Sequence, residues 1–336
     1  MIDGAGRTLR AGVIGLGSMG RNHARVWDEE IGQVELVAVA DPRADALRAC
    51  IDERAVRGYS DAAAMLAEEE LDLVSVAAPT SLHHDLTVAA LTAGAHVLVE
   101  KPIAATRAEA EGMMAAAADA GRLLSVGHIE RFNPAVLELR RRLQDGELGR
   151  IFQVTATRLG PFPDRIRDVG VVVDLAPHDL DVMRFLLGAD PVRLYAETEQ
   201  RIHTDHEDLF VGVLKFANGA VGLLNINWLT PTKVRTIAVT GERGMYRADY
   251  LSQELVFVAN PAIGTVSAGP AEVRPVVRRE PLVVELEAFA AAVRDGGPAP
   301  VEPREALIVL QLARALVEAA NTGTALSGEA LQAVLA

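Results

Sequence analysis

Three short segments combine residue types that chemistry needs. Gly15-Leu16-Gly17-Ser18-Met19-Gly20 is a glycine-spaced turn of the kind that cradles a dinucleotide pyrophosphate. Glu100-Lys101-Pro102 offers a lysine that can hydrogen-bond a substrate hydroxyl and stabilise developing alkoxide character. Asp174-Leu175-Ala176-Pro177-His178 offers an imidazole with a carboxylate to orient it. Each segment alone is weak. In this order they imply hydride transfer between a nicotinamide and an alcohol of a sugar or polyol.

The glycines have separable roles. Gly15 permits the tight turn, Gly17 lets backbone approach the phosphates, and Gly20 lets helix and strand pack closely. Ser18 and Met19 open the helix, whose free N–H groups and partial positive charge face the phosphates. Asp41 ends the next predicted strand, 21 residues after Gly20, where a carboxylate can bond the adenosine ribose hydroxyls. It would repel a 2′-phosphate, so NAD is expected over NADP. Arg43, two residues on, can recognise that phosphate and keeps NADP open.

Asp174 and His178 are four residues apart and would share one helix face. Pro177 is tolerated only in a first helical turn, so Asp174 as an N-cap with His178 early in the helix is a second reading. The two are compatible. An exposed Lys-Glu pair at a strand end is likewise the plain alternative for Glu100 and Lys101.

These residues need a scaffold. Continuous apolar runs at Ala11–Gly15, Glu35–Ala40, Leu73–Ala77, His96–Val99 and Leu123–Val126, with a weaker one at Arg57–Tyr59, read as buried parallel strands. Helices are expected at Met19–Glu30, Ala44–Glu53, Asp61–Glu69, His83–Ala93 and Arg107–Ala120. The alternation predicts a doubly wound parallel sheet over residues 1–127. It also places Lys101 at the carboxyl edge of that sheet, where such folds bind ligands.

Over residues 128–336 the texture changes. A helix at Pro134–Gln144, a strand at Ile151–Arg158, a Pro/Arg/Asp-rich loop from Gly160 to Asp168 and a helix at His178–Leu187 are expected. Three or more strands then run through Arg193–Val258, with turns at Ala217-Asn218-Gly219 and Gly241-Glu242-Arg243-Gly244 that read as hairpins of an open, mostly antiparallel sheet. The Phe210–Phe216 strand is apolar on both sides, which makes one sheet face a candidate subunit interface. Helices near Leu282–Arg294 and Pro303–Asn321 close the chain, and can pack back on the first domain.

Composition narrows the class. Of 336 residues, 50% are hydrophobic and 24% charged, a soluble globular profile rather than a disordered one. The net charge of −13 disfavours nucleic acid and anionic membranes, and an anionic substrate would need a local cationic pocket. The single Cys50 and the want of a signal-like or membrane-spanning apolar run lead to the expectation of a cytoplasmic protein.

With Pro79 followed by His83, the Ala93-Gly94 turn, and Asp181 beyond His178, the chain resembles the Gfo/Idh/MocA (glucose–fructose oxidoreductase / inositol dehydrogenase) family over nearly its whole length. The resemblance implies an N-terminal Rossmann domain, a C-terminal α/β domain with an open sheet, and homodimers or homotetramers formed through that sheet. It implies catalytic roles for Lys101, Asp174 and His178, with His178 taking a proton from a sugar hydroxyl. Pro79, His83 and Glu100 are implied to line the cofactor pocket. Val169-Gly170-Val171-Val172-Val173 and Gly127-His128-Ile129-Glu130-Arg131-Phe132-Asn133-Pro134 resemble a branch containing UDP-N-acetylglucosamine 3-dehydrogenases.

A nucleotide-sugar diphosphate would need cations, for which Arg131, Arg158, Arg165, Arg167 and Lys233 are candidates. Asn133 and Trp228 can supply a hydrogen bond and an apolar wall for a sugar ring. His203, Asp205, His206, Glu207 and Asp208 are irregularly spaced, and read as a polar loop rather than a metal site. Two alternatives remain: a dehydrogenase of inositol or a free sugar, and a dinucleotide-binding sensor without catalysis.

Overall fold

The computed structural model describes residues 7–163, 169–203, 205–261 and 269–335. Arg165 and Arg167 therefore lie outside the described residues. The chain forms two compact units, one holding the chain through Ile129 plus Glu280–Leu307, the other Glu130–Arg279 and the chain from Ile308.

The first unit alternates strand and helix: β1 (Leu9–Ile14), α1 (Ser18–Glu29), β2 (Val34–Ala40), α2 (Ala44–Glu53), β3 (Arg57–Tyr59), α3 (Ala62–Glu68), β4 (Leu73–Val76), α4 (His83–Thr92), β5 (His96–Glu100), α5 (Arg107–Ala120) and β6 (Leu124–Gly127). The strands form one parallel sheet in the order β3-β2-β1-β4-β5-β6. That order reverses direction between β1 and β4, the switch point at which doubly wound sheets bind ligands. Both strands are apolar and almost wholly buried, as two-sided helix cover requires.

The second unit carries α6 (Pro134–Gln144), β7 (Ile151–Pro161), α7 (Val171–Leu187), β8 (Pro191–Glu199), β9 (Leu209–Phe216), β10 (Val221–Asn227), β11 (Leu229–Gly241), β12 (Gly244–Asp249), β13 (Glu254–Ala259) and β14 (Ala271–Arg274). After α8 (Pro281–Asp295) and α9 (Pro303–Thr322) come β15 (Leu326–Ser327) and α10 (Gly328–Leu335). Nine strands order as β14-β13-β12-β11-β7-β10-β9-β8-β15, antiparallel except for the parallel β7–β10 pair. Along β9, Phe210, Leu214 and Phe216 enter the core, while Val211 and Val213 alternate outward and are 44% and 41% exposed. The side chains of α8 go elsewhere: Leu282, Leu286 and Phe289 share a core with Trp27 and Leu73 of the first unit.

Two features depart from the sequence expectation. β14, β15 and α10 are short elements whose apolar content is too small to give a periodic signal. More important for the chemistry, α7 starts at Val171 rather than at His178. Its N-cap is Gly170, so Asp174 lies inside the helix and Pro177 sits beyond the first turn. Glu207 makes this start possible: its carbonyl accepts from Val171 N at 2.9 Å and its carboxylate from Val172 N at 3.1 Å. A helix capped from a distant loop can begin on three valines that local propensity would not choose.

Candidate active site

The glycine turn is built as the spacing predicts. Gly15 has φ +90°, and a Cβ there would meet the Ala77 carbonyl oxygen at 2.6 Å. A Cβ on Gly20 would sit 1.7 Å from the Gly15 oxygen, so strand and helix could not approach. Gly17 differs: a Cβ would meet nothing within 4 Å. Its surface is open, and Gly17 N-caps α1 with neither a side-chain cap nor an acidic residue in the first turn. Side chains cap α3 (Asp61), α5 (a Thr106–Glu109 capping box) and α6 (Asn133), whereas α8, like α1, starts with neither a side-chain cap nor a first-turn acid. The uncapped N–H groups of α1 therefore suit an anion, and with the open backbone at Gly17 they fit a dinucleotide pyrophosphate.

A cleft of about 650 Å³ runs past this turn, lined by Gly15, Gly17, Asp41, Arg43 and Pro79 among others. The structure thus brings together five of the expected cofactor residues, with Ser18 and Met19 opening the adjoining helix. Asp41 is 5% exposed and held on every side. Its carboxylate accepts from Leu16 N at 2.6 Å, from Arg43 N at 2.9 Å, and from the Arg43 guanidinium at 3.1 Å. Burial opposes its charge, but the Arg43 side chain and these backbone N–H groups hold its pKa below the usual carboxylate value.

Glu100 and His83 turn out differently from their expected roles at the cofactor. The Glu100 carboxylate points into the first unit, where Oε1 meets His23 Nε2 at 3.0 Å and Oε2 accepts from Lys101 N at 3.1 Å. His23 is fully buried; its Nδ1 lies 3.1 Å from Ser75 Oγ, which accepts from Trp27 Nε1 at 2.9 Å. The Trp27 indole can only donate, so Ser75 Oγ accepts from it, and His23 links this hydroxyl to the Glu100 carboxylate. Burial works against the Glu100 charge, and the hydrogen bond from His23 together with the nearby Lys101 more than offsets it, lowering its pKa. His83, 1% exposed, spans two loops, with Nε2 2.9 Å from the Ala78 oxygen and Nδ1 2.9 Å from the Pro102 oxygen. Both residues shape the backbone around Pro79 and Lys101 from beneath. Lys101 itself is half-buried at the end of β5.

In the second unit, Asp174 and His178 lie one turn apart on α7, both half-buried, while Ala176, Pro177 and Asp179 beside them are buried. Exposure of one face is what a residue pair that meets a ligand requires. The expected substrate contacts mostly serve the interior instead. Arg131 donates through Nε and Nη2 to Asp181, both at 2.6 Å. Arg158 uses the same edge on Asp179, at 2.7 and 3.1 Å, and Nη1 on Glu130 at 3.0 Å. Burial works against the Arg158 charge, but Asp179 and Glu130 outweigh it and raise its pKa. Asn133 caps α6 through Ala135 N and donates to the Tyr250 carbonyl at 3.0 Å. Trp228, 3% exposed, packs against Phe162 and His203. Arg131, Arg158 and Asn133 thus follow one rule, that a buried polar group must find an internal partner, while Trp228 fills an aromatic cluster. Of the described cations expected to meet substrate, Arg131, Arg158 and Lys233, Lys233 is the exposed one.

Among the described residues no group of His, Cys, Asp and Glu could hold a metal ion. The acidic loop instead braces α7. Asp208, fully buried, accepts from the backbone N–H groups of Arg201, Ile202 and His203, which orders the turn that presents Glu207. Sequence reasoning placed Glu207 in a polar loop without seeing that it caps α7, because the capped residues lie 35 positions earlier. It also passed over Arg235.

Comparison with known proteins adds identity to this geometry. Residues 9–128 match an oxidoreductase family with an NAD-binding Rossmann fold, and residues 136–247 match the GFO/IDH/MocA C-terminal domain. The UDP-N-acetylglucosamine 3-dehydrogenase of Acidithiobacillus ferrooxidans is 32% identical over 288 residues, covering 85% of this chain and 88% of that protein. The myo-inositol 2-dehydrogenase of Thermotoga maritima is 28% identical over 325 residues, covering 90% and 94%. A solved structure of the A. ferrooxidans enzyme matches with a TM-score of 0.84 at 29% identity, covering 94% of this chain and 98% of the other. The chain belongs to the GFO/IDH/MocA family of oxidoreductases, and its first unit is an NAD-binding Rossmann domain.

Proposed function

We propose that this oxidoreductase is an NAD-dependent dehydrogenase that oxidises a secondary hydroxyl of a nucleotide sugar, in the manner of a UDP-N-acetylglucosamine 3-dehydrogenase. The observation that carries the reading is the α7 face, with Asp174 and His178 half-buried one turn apart while the other polar side chains of the helix, Asp179, Asp181 and Arg184, are buried. The 32% identity to a UDP-N-acetylglucosamine 3-dehydrogenase extends over 85% of this chain, against 64% for an inositol 2-dehydrogenase of equal identity, and this wider match supports the nucleotide sugar over a cyclitol.

In this reading the α1 N-terminus and Gly17 hold the pyrophosphate, and Asp41 holds the adenosine ribose. NAD⁺, when bound, supplies the hydride acceptor. His178 Nε2 takes the proton of the substrate hydroxyl, and Asp174 orients the imidazole and stabilises its protonated form. The Lys101 ammonium hydrogen-bonds the same oxygen and stabilises its developing negative charge. Glu100, ionised and fixed by His23, holds the Lys101 backbone. A homo-oligomer formed through the outer face of the second unit's sheet, working in the cytoplasm, completes the proposal; the exposed Val211 and Val213 and the single buried Cys50 support it.

Steady-state NADH formation with UDP-N-acetylglucosamine, and separately with myo-inositol, tests the reading. His178→Ala is expected to lower kcat by roughly 10²–10⁴-fold while leaving NAD⁺ binding intact. Turnover of myo-inositol alone would favour the cyclitol. NAD⁺ binding without NADH formation across a panel of sugars and nucleotide sugars would establish a sensor.

A further inference from the structure

Arg235 on β11 stands directly opposite Arg158 on β7, and both side chains face the helix-covered side of the sheet with Ile237 and Ala156. Its Nη1 donates to the backbone carbonyls of Leu159 and, at 2.9 Å, of Val234, which fixes the guanidinium plane. Arg131 and Arg158 give their Nε/Nη2 edge to Asp181 and Asp179. The same edge of Arg235 meets no acceptor among the described residues, and no carboxylate lies within ion-pair distance.

Arg235 is half-buried, and Gly160 on the neighbouring strand contributes no side chain. A Cβ on Gly160 would lie 3.6 Å from Lys233 Cγ and 3.7 Å from Arg235 Nη2, so two cationic side chains border bare backbone. Lys233 is exposed and makes no ion pair among the described residues. Burial and the charge of Arg158 push the Arg235 pKa down, and the carboxylates of Asp179, Glu130 and Asp174 act in the opposite direction. Asp174 thus lies within electrostatic reach of Arg235. A half-buried cation beside a like charge is unfavourable unless an anion completes it. A guanidinium edge with two parallel N–H groups suits phosphate.

We propose that the Nε/Nη2 edge of Arg235, with Lys233 across Gly160, binds a phosphate group carried by the substrate. The proposal rests on the nucleotide-sugar reading above, and it sets the substrate class by requiring an anion next to the hydroxyl-bearing ring. It also reconciles an acidic protein with an anionic substrate: the attraction is local and works against a net charge of −13.

Two measurements on the full chain separate this proposal from the reading beneath it. One is the KM for UDP-N-acetylglucosamine in NADH formation, and the other is calorimetric binding of UDP. Arg235→Gln is expected to raise that KM, and to weaken UDP, by about tenfold or more, with the KM for NAD⁺ unchanged. Arg235→Lys should recover part of the loss, and Lys233→Gln should raise the KM by roughly threefold, as one phosphate charge contact would. If the enzyme oxidises no UDP-sugar yet binds UDP in an Arg235-dependent way, the phosphate site stands and the nucleotide-sugar dehydrogenase reading falls. Unchanged KM and UDP affinity in Arg235→Lys, Arg235→Gln and Lys233→Gln would overturn the site and leave the dehydrogenase reading intact. Failure of the wild type to bind UDP would overturn it as well.

Discussion

Asp41 spends one carboxylate on four internal donors: Leu16 N, Arg43 N and the two ends of the Arg43 fork. Arg43 is thereby tied to the acid rather than extended toward a 2′-phosphate, which resolves the ambiguity of two opposed charges two residues apart. Asp41→Ser is expected to release Arg43 and lower the ratio of kcat/KM for NAD⁺ to that for NADP⁺ by at least about tenfold, about 1.4 kcal/mol. An unchanged ratio would show that Asp41 does not select the cofactor. At this scale the sequence was legible wherever a role is local. Gly15, Gly17 and Gly20 lie in one strand-turn-helix unit and Asp41 just past the strand that follows, so their spacing along the chain is enough to mark them. Arg131, Arg158, Asn133 and Glu100 were misread because a long polar side chain can turn inward or outward. Which way it turns depends on partners 21 to 117 residues away, such as Asp179 for Arg158 and Tyr250 for Asn133.

Among the elements, α7 depends most on something outside itself. A Cβ on Gly170 would sit 2.0 Å from the Glu207 carboxylate that caps the helix, so a larger residue there must displace the cap. Gly170→Ala and Glu207→Ala should each cost about 1–2 kcal/mol, the usual range for a lost cap. The double substitution should cost little more than either one, because both remove the same interaction. Thermal or urea unfolding of the four proteins measures this; strict additivity would show that the two residues act independently. The same dependence explains why the helix start was illegible. Pro177 argued locally for a start near His178, and the stabilising cap comes from a loop more than thirty residues later in sequence. The parallel sheet, by contrast, was read almost strand for strand, since two-sided burial leaves continuous apolar runs that need no distant information.

At the scale of the whole molecule, the second unit's sheet has one face sealed by helices and another that exposes Val211 and Val213. If copies associate through that face, Val211→Lys with Val213→Lys should lower the mass measured by light scattering, while NAD⁺ binding persists. An unchanged mass would place the association elsewhere. No helix among the described residues is long and apolar enough to cross a membrane.

The two tryptophans are distributed one to each unit. Trp27 is buried in the first, its indole N–H fixed to Ser75 beneath Lys101; Trp228 is buried in the second, stacked on His203. Each unit therefore carries its own intrinsic fluorophore in a distinct environment. The emission of a Trp228→Phe protein would report on the Rossmann unit alone, and that of a Trp27→Phe protein on the other. The order in which the two halves melt can thus be followed optically in the intact chain, without attaching a label.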